Sequence, residues 1–238
     1  MMNNDRHIAS AFDRDLEGVQ ALVLRMGGLV ESALAEAADA LELADPSLAR
    51  KVMAEDGAID ALEEQVNAEC ARLIALRAPI AGDLRTVLSV MKIASSLERC
   101  GDYAKNLAKR SIVLTEMRPI PGAASSIRRM ARMVGVLLQE ALDAFIARDT
   151  AAANSVRERD IEVDQMYSSL FREFLTYMLE DPANITACMH LHFIAKNIER
   201  VGDHATTIAE QVIYLSTGNL PDSERVKGDA VLGGGGQG

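Results

Sequence analysis

The amino-acid sequence predicts an all-α protein built from two tandem three-helix bundles that are related by an internal repeat. Composition is the first reason: hydrophobic residues make up 49% of the 238 residues, aromatic residues only 4%, and there are six prolines. Ala, Leu, Glu, Arg and Met, all good helix formers, are common. The β-branched and aromatic residues do not form alternating runs, so the pattern gives strands little support.

The internal repeat is the second reason. Residues 93–108 align with residues 194–209 at an offset of 101, and eight of the sixteen positions are identical. Upstream, residues 52–60 align with residues 156–164 at an offset of 104. The offset falls by three between the two segments, so the second copy has a shorter turn there. Such self-similarity indicates one supersecondary unit present twice.

Prolines and other turn residues divide each copy into three helices. Asp45-Pro46-Ser47 and Asp149-Thr150 end the first helix of each copy, and proline suits the first turn of the next. The predicted helices of repeat one (residues 8–117) span 8–45, 47–77 and 83–115, and those of repeat two (residues 123–216) span 123–148, 150–180 and 184–216. Residues 118–122 form the linker, and we expect a flexible segment at 1–7 and a disordered tail at 217–238.

Net charge and cysteine content narrow the function classes. The formal net charge is −10, which disfavours nucleic-acid binding and docking to anionic membranes but suits cations or basic partners. No signal peptide or transmembrane run is recognisable, so we expect a cytoplasmic protein that reaches a membrane only through its partners. The three scattered cysteines form neither a disulfide framework nor a CxxC metal site, which suits a reducing compartment.

Each copy carries two pairs of carboxylates four residues apart, which places both members of a pair on one helix face. The four pairs are Asp56 and Asp60, Glu98 and Asp102, Asp160 and Asp164, and Glu199 and Asp203. Like charges at this spacing repel, so their repetition suggests that something positive lies between them. Gly101 and Gly202 separate the acids of the last helix in each copy, and we expect a close approach to the backbone there.

Hairpin geometry brings the pairs of each copy together. The second and third helices are joined by a short turn and should be antiparallel neighbours. Two pairs face each other across a hairpin when they are equally far from its turn. In repeat one the pairs are centred on residues 58 and 100, and the point halfway between them is Pro79, in the turn. In repeat two the midpoints, 162 and 201, average to 181.5, at Asp181-Pro182. Each copy should therefore gather four carboxylates at one level.

Four converging carboxylates need a counter-ion if they are partly buried. Oxygen ligands favour hard cations such as Mg²⁺, Mn²⁺, Ca²⁺ or ferric iron, and zinc stays open. The alternative is pairing with basic side chains close in sequence, which are Arg99, Arg200, Lys105 and Arg157. His192, one heptad before Glu199, is a further candidate ligand, although a packed histidine is the more common situation.

The turn and motif sequences resemble the PhoU family. The segments that carry the resemblance are 77–85 (RAPIAGDLR), 97–104 (LERCGDYA), 181–185 (DPANI) and 198–205 (IERVGDHA). The resemblance extends over about residues 8–216. It implies two three-helix bundles in which the E(D)xxxD motifs, here the four carboxylate pairs, hold clusters of iron, manganese, magnesium or zinc.

The resemblance also implies a function that the residues alone do not. PhoU-like proteins restrain the phosphate-starvation response and limit phosphate uptake. They link the ATPase subunit of the phosphate ABC transporter to a membrane sensor histidine kinase. We accordingly predict a non-enzymatic regulator that forms a homodimer.

Two other functions stay open from the residues. A carboxylate-bridged di-metal enzyme would also use a helical bundle, but such bundles carry Glu-x-x-His on two helices, and that motif is missing at the acidic pairs. A metal-free helical scaffold would use the acids only for ion pairs. Elemental analysis after gentle purification separates the scaffold from the metal-binding regulator.

Overall fold

The computed structural model describes residues 2–221, without the side chains of residues 2–11 and 13. It confirms the all-α prediction: the described residues contain helices and turns and no strand. Repeat one consists of α1 (Met2–Glu42), α2 (Pro46–Glu55), α3 (Gly57–Arg77) and α4 (Gly82–Leu114). Repeat two consists of α5 (Ala123–Ala147), α6 (Thr150–Glu180), a 3₁₀ turn (Pro182–Asn184) and α7 (Ile185–Thr217).

The ends of the chain differ from the predicted boundaries. The first helix begins at Met2, within the segment that we expected to precede it. The last helix ends at Thr217, and Gly218 follows in the left-handed conformation that commonly stops a helix. Most of the predicted tail, residues 222–238, lies outside the described residues.

The predicted helix over 47–77 is interrupted at Asp56, which separates α2 from α3 although its backbone keeps right-handed helical angles (φ −55°, ψ −39°). The carbonyl oxygen of Asp56 accepts from Ile59 at 2.9 Å, and the regular bond from Asp60 is stretched to 3.4 Å. Gly57 follows the break, and glycine is a weak helix former. Its equivalent in repeat two is Ile161, where α6 continues without interruption.

Aspartates begin the second helix of each repeat in the same way. The side chain of Asp45 accepts from the backbone N–H groups of Ser47 and Leu48, at 2.8 and 3.2 Å. Asp149, its equivalent, accepts from the second and third residues after it at 2.9 and 3.1 Å. These bonds satisfy N–H groups that have no partner within the helix, and they fix the direction in which both hairpins start.

The two repeats share one hydrophobic core. The helices α1, α4, α5 and α7 form the centre, where α1 packs on α5 and α4 packs on α7. The second helix of each repeat lies outside this centre, α2 and α3 against α1 and α4, and α6 against α5 and α7. Arg128 of α5 adds ion pairs of 2.6 Å to Asp39 and to Glu42 of α1.

One segment of α1 is long and apolar enough to cross a membrane by length and composition, although the sequence led us to expect none. This segment is Arg14–Glu42, and it alone meets the criterion among the described residues. Its stripe of Val19, Val23, Met26 and Val30 is buried in the core. These four residues belong to the hydrophobic core that α1 forms with α4 and α5.

Candidate metal centres

The eight carboxylates lie on the hairpins formed by the second and third helices of each repeat. In repeat one, Asp56 occupies the break between α2 and α3 and Asp60 lies in the first turn of α3. Their partners across the hairpin, Glu98 and Asp102, lie in the middle of α4. In repeat two, the equivalent residues lie within α6 and α7.

Burial differs strongly among the eight. Asp56 and its equivalent Asp160 are each only 5% exposed. Five others are half-buried: Glu98, Asp102, Asp164, Glu199 and Asp203. Only Asp60 is exposed. The repeat thus places one aspartate of each cluster in the interior, where an ionised carboxylate needs a positive or hydrogen-bonding partner.

The four acids of repeat one are close enough to influence one another. Burial raises the pKa of Glu98, and the charges of Asp102 and Asp60 raise it further while Arg99 lowers it. Asp60 is exposed, but partial desolvation by the neighbouring helix surface raises its pKa, with contributions from Asp56 and Asp102 in the same direction. The charges of the two pairs therefore act on each other across the hairpin.

Basic side chains of the protein lie against the repeat-one acids. The ammonium nitrogen of Lys105 is 2.6 Å from Oδ2 of the buried Asp56. The guanidinium of Arg99 lies 3.6 Å from Glu98 and 3.8 Å from Asp102. Because Arg99 is 60% exposed, its pairs contribute little to stability. Lys105 is the stronger partner, since it meets a carboxylate that is almost out of contact with water.

The repeat-two acids have a different basic partner, one that the sequence analysis overlooked. The ammonium nitrogen of Lys196 lies 2.7 Å from each of the two carboxylate oxygens of Glu199. It donates a hydrogen bond only to Oε1. The other oxygen, Oε2, is buried without a hydrogen bond. Burial raises the pKa of Glu199, and Asp203 and Asp164 raise it further against the effect of Lys196. The spacing of three residues to Glu199 was the available signal.

The glycines between the acids allow the helices to approach, as predicted. A Cβ atom added to Gly202 would lie 2.9 Å from Oδ1 of Asp160. One added to Gly101 would lie 2.9 Å from Cδ1 of Ile59 and 3.6 Å from Oδ1 of Asp56. The buried aspartate of each hairpin therefore lies directly against the glycine of the facing helix.

Two segments of the chain, residues 23–111 and 127–212, match the family model of the PhoU domain. These segments contain all eight carboxylates and all but the last few residues of the two hairpins.

The chain belongs to the PhoU family.

Relatives of known name support this membership along nearly the whole chain. A phosphate-specific transport system accessory protein PhoU homolog of Rhizobium meliloti is 47% identical, over 94% of this chain and 94% of the relative. The homolog of Caulobacter vibrioides with the same name is 45% identical, over 94% of this chain and 98% of the relative.

Solved PhoU structures have the same fold. The crystal structure of PhoU from Pseudomonas aeruginosa matches with a TM-score of 0.84 at 41% identity, over 87% of this chain and 100% of that one. The phosphate transport system regulatory protein PhoU from Streptococcus pneumoniae matches with a TM-score of 0.81 at 30% identity, over 89% and 99%.

Two further residues that the sequence suggested, His192 and Arg157, contact other side chains of repeat two. The ring of His192 lies 5.0 Å from that of Phe171 and 5.8 Å from that of Tyr167, centroid to centroid. Burial lowers the pKa of His192, and the nearby Lys196 lowers it further. His192 is thus part of an aromatic group. Arg157, a predicted ion-pair partner, lies 3.6 Å from Glu210.

The carboxylates do not form a finished coordination shell. Among the described residues, no group of three or more His, Cys, Asp or Glu side chains is arranged to hold a metal ion as it stands. In each cluster a lysine holds one of the acids by a short ion pair.

Proposed function

We propose that this chain regulates phosphate uptake and restrains the phosphate-starvation response, coupling the phosphate ABC transporter to a sensor histidine kinase. The observation that carries the proposal is membership of the PhoU family, with relatives named phosphate-specific transport system accessory proteins. The role is that of a cytoplasmic, non-enzymatic adaptor acting as a homodimer. Its partners are the ATPase subunit of the transporter and the kinase.

Deletion of the gene in its native host tests the regulatory role. An alkaline-phosphatase reporter under phosphate control should become active in high phosphate when the gene is deleted, and it should be silenced again by the intact gene. A reporter that stays silent in the deletion strain contradicts negative regulation. Co-purification of the chain with the transporter ATPase or with the kinase tests the two arms of the coupling separately.

The second part of the proposal is that each hairpin binds metal. The ligands would be Asp56, Asp60, Glu98 and Asp102 in repeat one, and Asp160, Asp164, Glu199 and Asp203 in repeat two.

The residues fit such a group in three respects. All donors are carboxylate oxygens, which suit magnesium, manganese and iron and are accepted by zinc. The buried Glu199 Oε2 has no hydrogen bond. Asp56 and Asp160 lie against Gly101 and Gly202, the glycines that stand between the other two acids of each cluster. A bound cation would neutralise the clusters and so set the charge of the surface offered to a partner.

Elemental analysis of the intact protein, purified without chelators, tests metal binding. The double variant Glu199→Gln and Asp203→Asn should lose metal from repeat two and keep it in repeat one. Equal loss from both repeats contradicts separate sites.

The metal-free scaffold is the competing view, and the pairs Lys105–Asp56 and Lys196–Glu199 favour it. In that case basic side chains such as these two lysines, rather than a metal, balance the charge of the acids. A wild-type protein that takes up no metal and melts at the same temperature with and without added Mn²⁺ would establish the scaffold and overturn the metal proposal.

A further inference from the structure

The lysine of repeat one has no counterpart in repeat two. Lys105 lies three residues after Asp102, and its equivalent at the offset of 101 is Thr206. The hydroxyl of Thr206 donates to the backbone oxygen of Asp203 at 2.7 Å, within the helix. Position 206 therefore supplies no charge, whereas Lys105 supplies an ammonium group 2.6 Å from Asp56.

The lysine of repeat two likewise has no counterpart in repeat one. Lys196 lies three residues before Glu199, and its equivalent is Ser95, which is exposed. The ammonium of Lys196 is held from a second side by the ring of Tyr167, whose centroid lies 5.2 Å away. The residue of repeat one that is equivalent to Tyr167 is Glu63, so this support is also specific to repeat two.

The two lysines therefore hold acids that are not equivalent. Lys105 binds Asp56, at the break between α2 and α3, and the charges of Asp102 and Asp60 also act on it. Lys196 binds Glu199, on α7, and the charge of Asp203 also acts on it. The lysine of repeat one thus contacts the second helix of its repeat, whereas the lysine of repeat two contacts the third.

We propose that Lys105 and Lys196 are built-in counter-ions that compete with metal, each for its own cluster, and that they make the two sites unequal. The inference rests on the proposed metal binding. A divalent cation must displace an ammonium group from Asp56 in repeat one and from Glu199 in repeat two. Even after a lysine swings aside, its charge stays a few ångströms from the metal; a +1 and a +2 charge about 5 Å apart in water repel enough to weaken binding about tenfold.

The two sites can be measured separately in the full-length chain. The variant Glu199→Gln with Asp203→Asn leaves repeat one to bind, and Glu98→Gln with Asp102→Asn leaves repeat two. Lys105→Gln and Lys196→Gln are then introduced into each background, because glutamine keeps a hydrogen-bond donor without the charge. Titration with Mn²⁺ alone, followed by the electron paramagnetic resonance signal of the free ion, gives the dissociation constant of each site.

Each substitution should act on its own repeat. Lys105→Gln should tighten Mn²⁺ binding to repeat one about tenfold and leave repeat two unchanged, and Lys196→Gln should do the reverse. Lys105→Arg, which keeps the charge, should bind as the parent does. Lys109→Gln, a change at an exposed lysine of the same helix, should have no effect. Circular dichroism checks folding, and Lys105→Thr, the residue found in repeat two, is the second neutral variant.

The outcomes separate this inference from the proposed function. Unchanged or weaker binding in the neutral variants, with Mn²⁺ still bound by the parents, overturns the role of the lysines and leaves metal binding intact. If only the neutral variants bind Mn²⁺ and their parents do not, the lysines exclude the metal completely, and the proposal is supported. Absence of Mn²⁺ binding from the wild type and from every variant overturns both proposals.

Discussion

The rings of Tyr103 on α4 and His204 on α7 lie 5.9 Å apart, centroid to centroid, and each residue directly follows the last acid of its repeat's motif. The two positions are equivalent at the offset of 101, so equivalent residues meet where the repeats join. The guanidinium of Arg200 lies 5.7 Å from the Tyr103 ring centroid. Burial lowers the pKa of His204, and Arg99, the equivalent of Arg200, is among the charges that lower it further. The repeats therefore pack through related surfaces of α4 and α7.

The Tyr103–His204 contact should contribute measurably to stability. A double-mutant cycle with Tyr103→Leu and His204→Leu, measured by urea unfolding, should give a coupling free energy of about 0.5–1.5 kcal/mol, as for other pairs of aromatic rings in contact. The control cycle pairs Tyr103→Leu with His190→Leu on the same helix, where the effects should add within about 0.5 kcal/mol. Equal coupling in both cycles would show that the ring contact contributes nothing specific.

Gly202 should not tolerate a side chain. Gly202→Ala would place a Cβ 2.9 Å from Oδ1 of Asp160, and we expect a loss of about 1–3 kcal/mol in the free energy of unfolding because the buried carboxylate must shift. Gly135→Ala is the matched control: this glycine also lies within a helix, and no atom within 4 Å would meet its Cβ. That change should stabilise by about 0.5–1 kcal/mol. A neutral Gly202→Ala would disprove the close approach.

The two N-terminal caps should contribute equally. Asp45→Ala and Asp149→Ala each remove a carboxylate that accepts from two backbone N–H groups, so each should lower the free energy of unfolding by about 1 kcal/mol. Asp83→Ala, in the first turn of α4 but without a capping hydrogen bond, should cost less. Chemical denaturation of the three variants checks this order, and an Asp83 variant as damaging as the others would refute it.

The cysteines should be unreactive in the folded protein. All three are buried and unpaired. Burial raises the pKa of the Cys70 thiol to about 11 and also raises the pKa of Cys100 and Cys188. Because the thiolate is the reactive form, iodoacetamide at pH 8 should label almost none in native protein and three per chain in guanidinium. Fast labelling of native protein would contradict this burial.

The same thiols make a prediction about alkaline stability. A thiol whose pKa is raised by folding holds its proton more tightly in the native state, so its stabilising effect is complete below the unfolded value of 9.0. This contribution is lost as pH rises from 9.0 toward about 11 for Cys70. The free energy of unfolding should fall over that range, and less so in a Cys70→Ala variant, compared with its own value at pH 8.

Much of the architecture could be predicted from the sequence because it depends on local rules. Helix-forming residues, capping aspartates and prolines define the helices, and the offsets of 101 and 104 define the repeat. Because the second and third helices are antiparallel and joined by a short turn, the expected position of the acidic pairs along the hairpin could be worked out from their distances to the turn. The break at Asp56 was missed because Gly57 in a helical pattern is often tolerated.

Tertiary structure alone decided which acids are buried and which cations meet them. Spacing treats Asp56 and Asp60 alike, yet packing against α4 buries the first and leaves the second exposed. Lys105 and Lys196 reach their acids through long flexible side chains, whose direction depends on neighbours such as Tyr167. The repeat in the sequence determined that the protein has two similar sets of acids. Side-chain packing gave the two sets different electrostatic environments, because a charge acts on the groups that lie near it in space, whatever its position in the repeat.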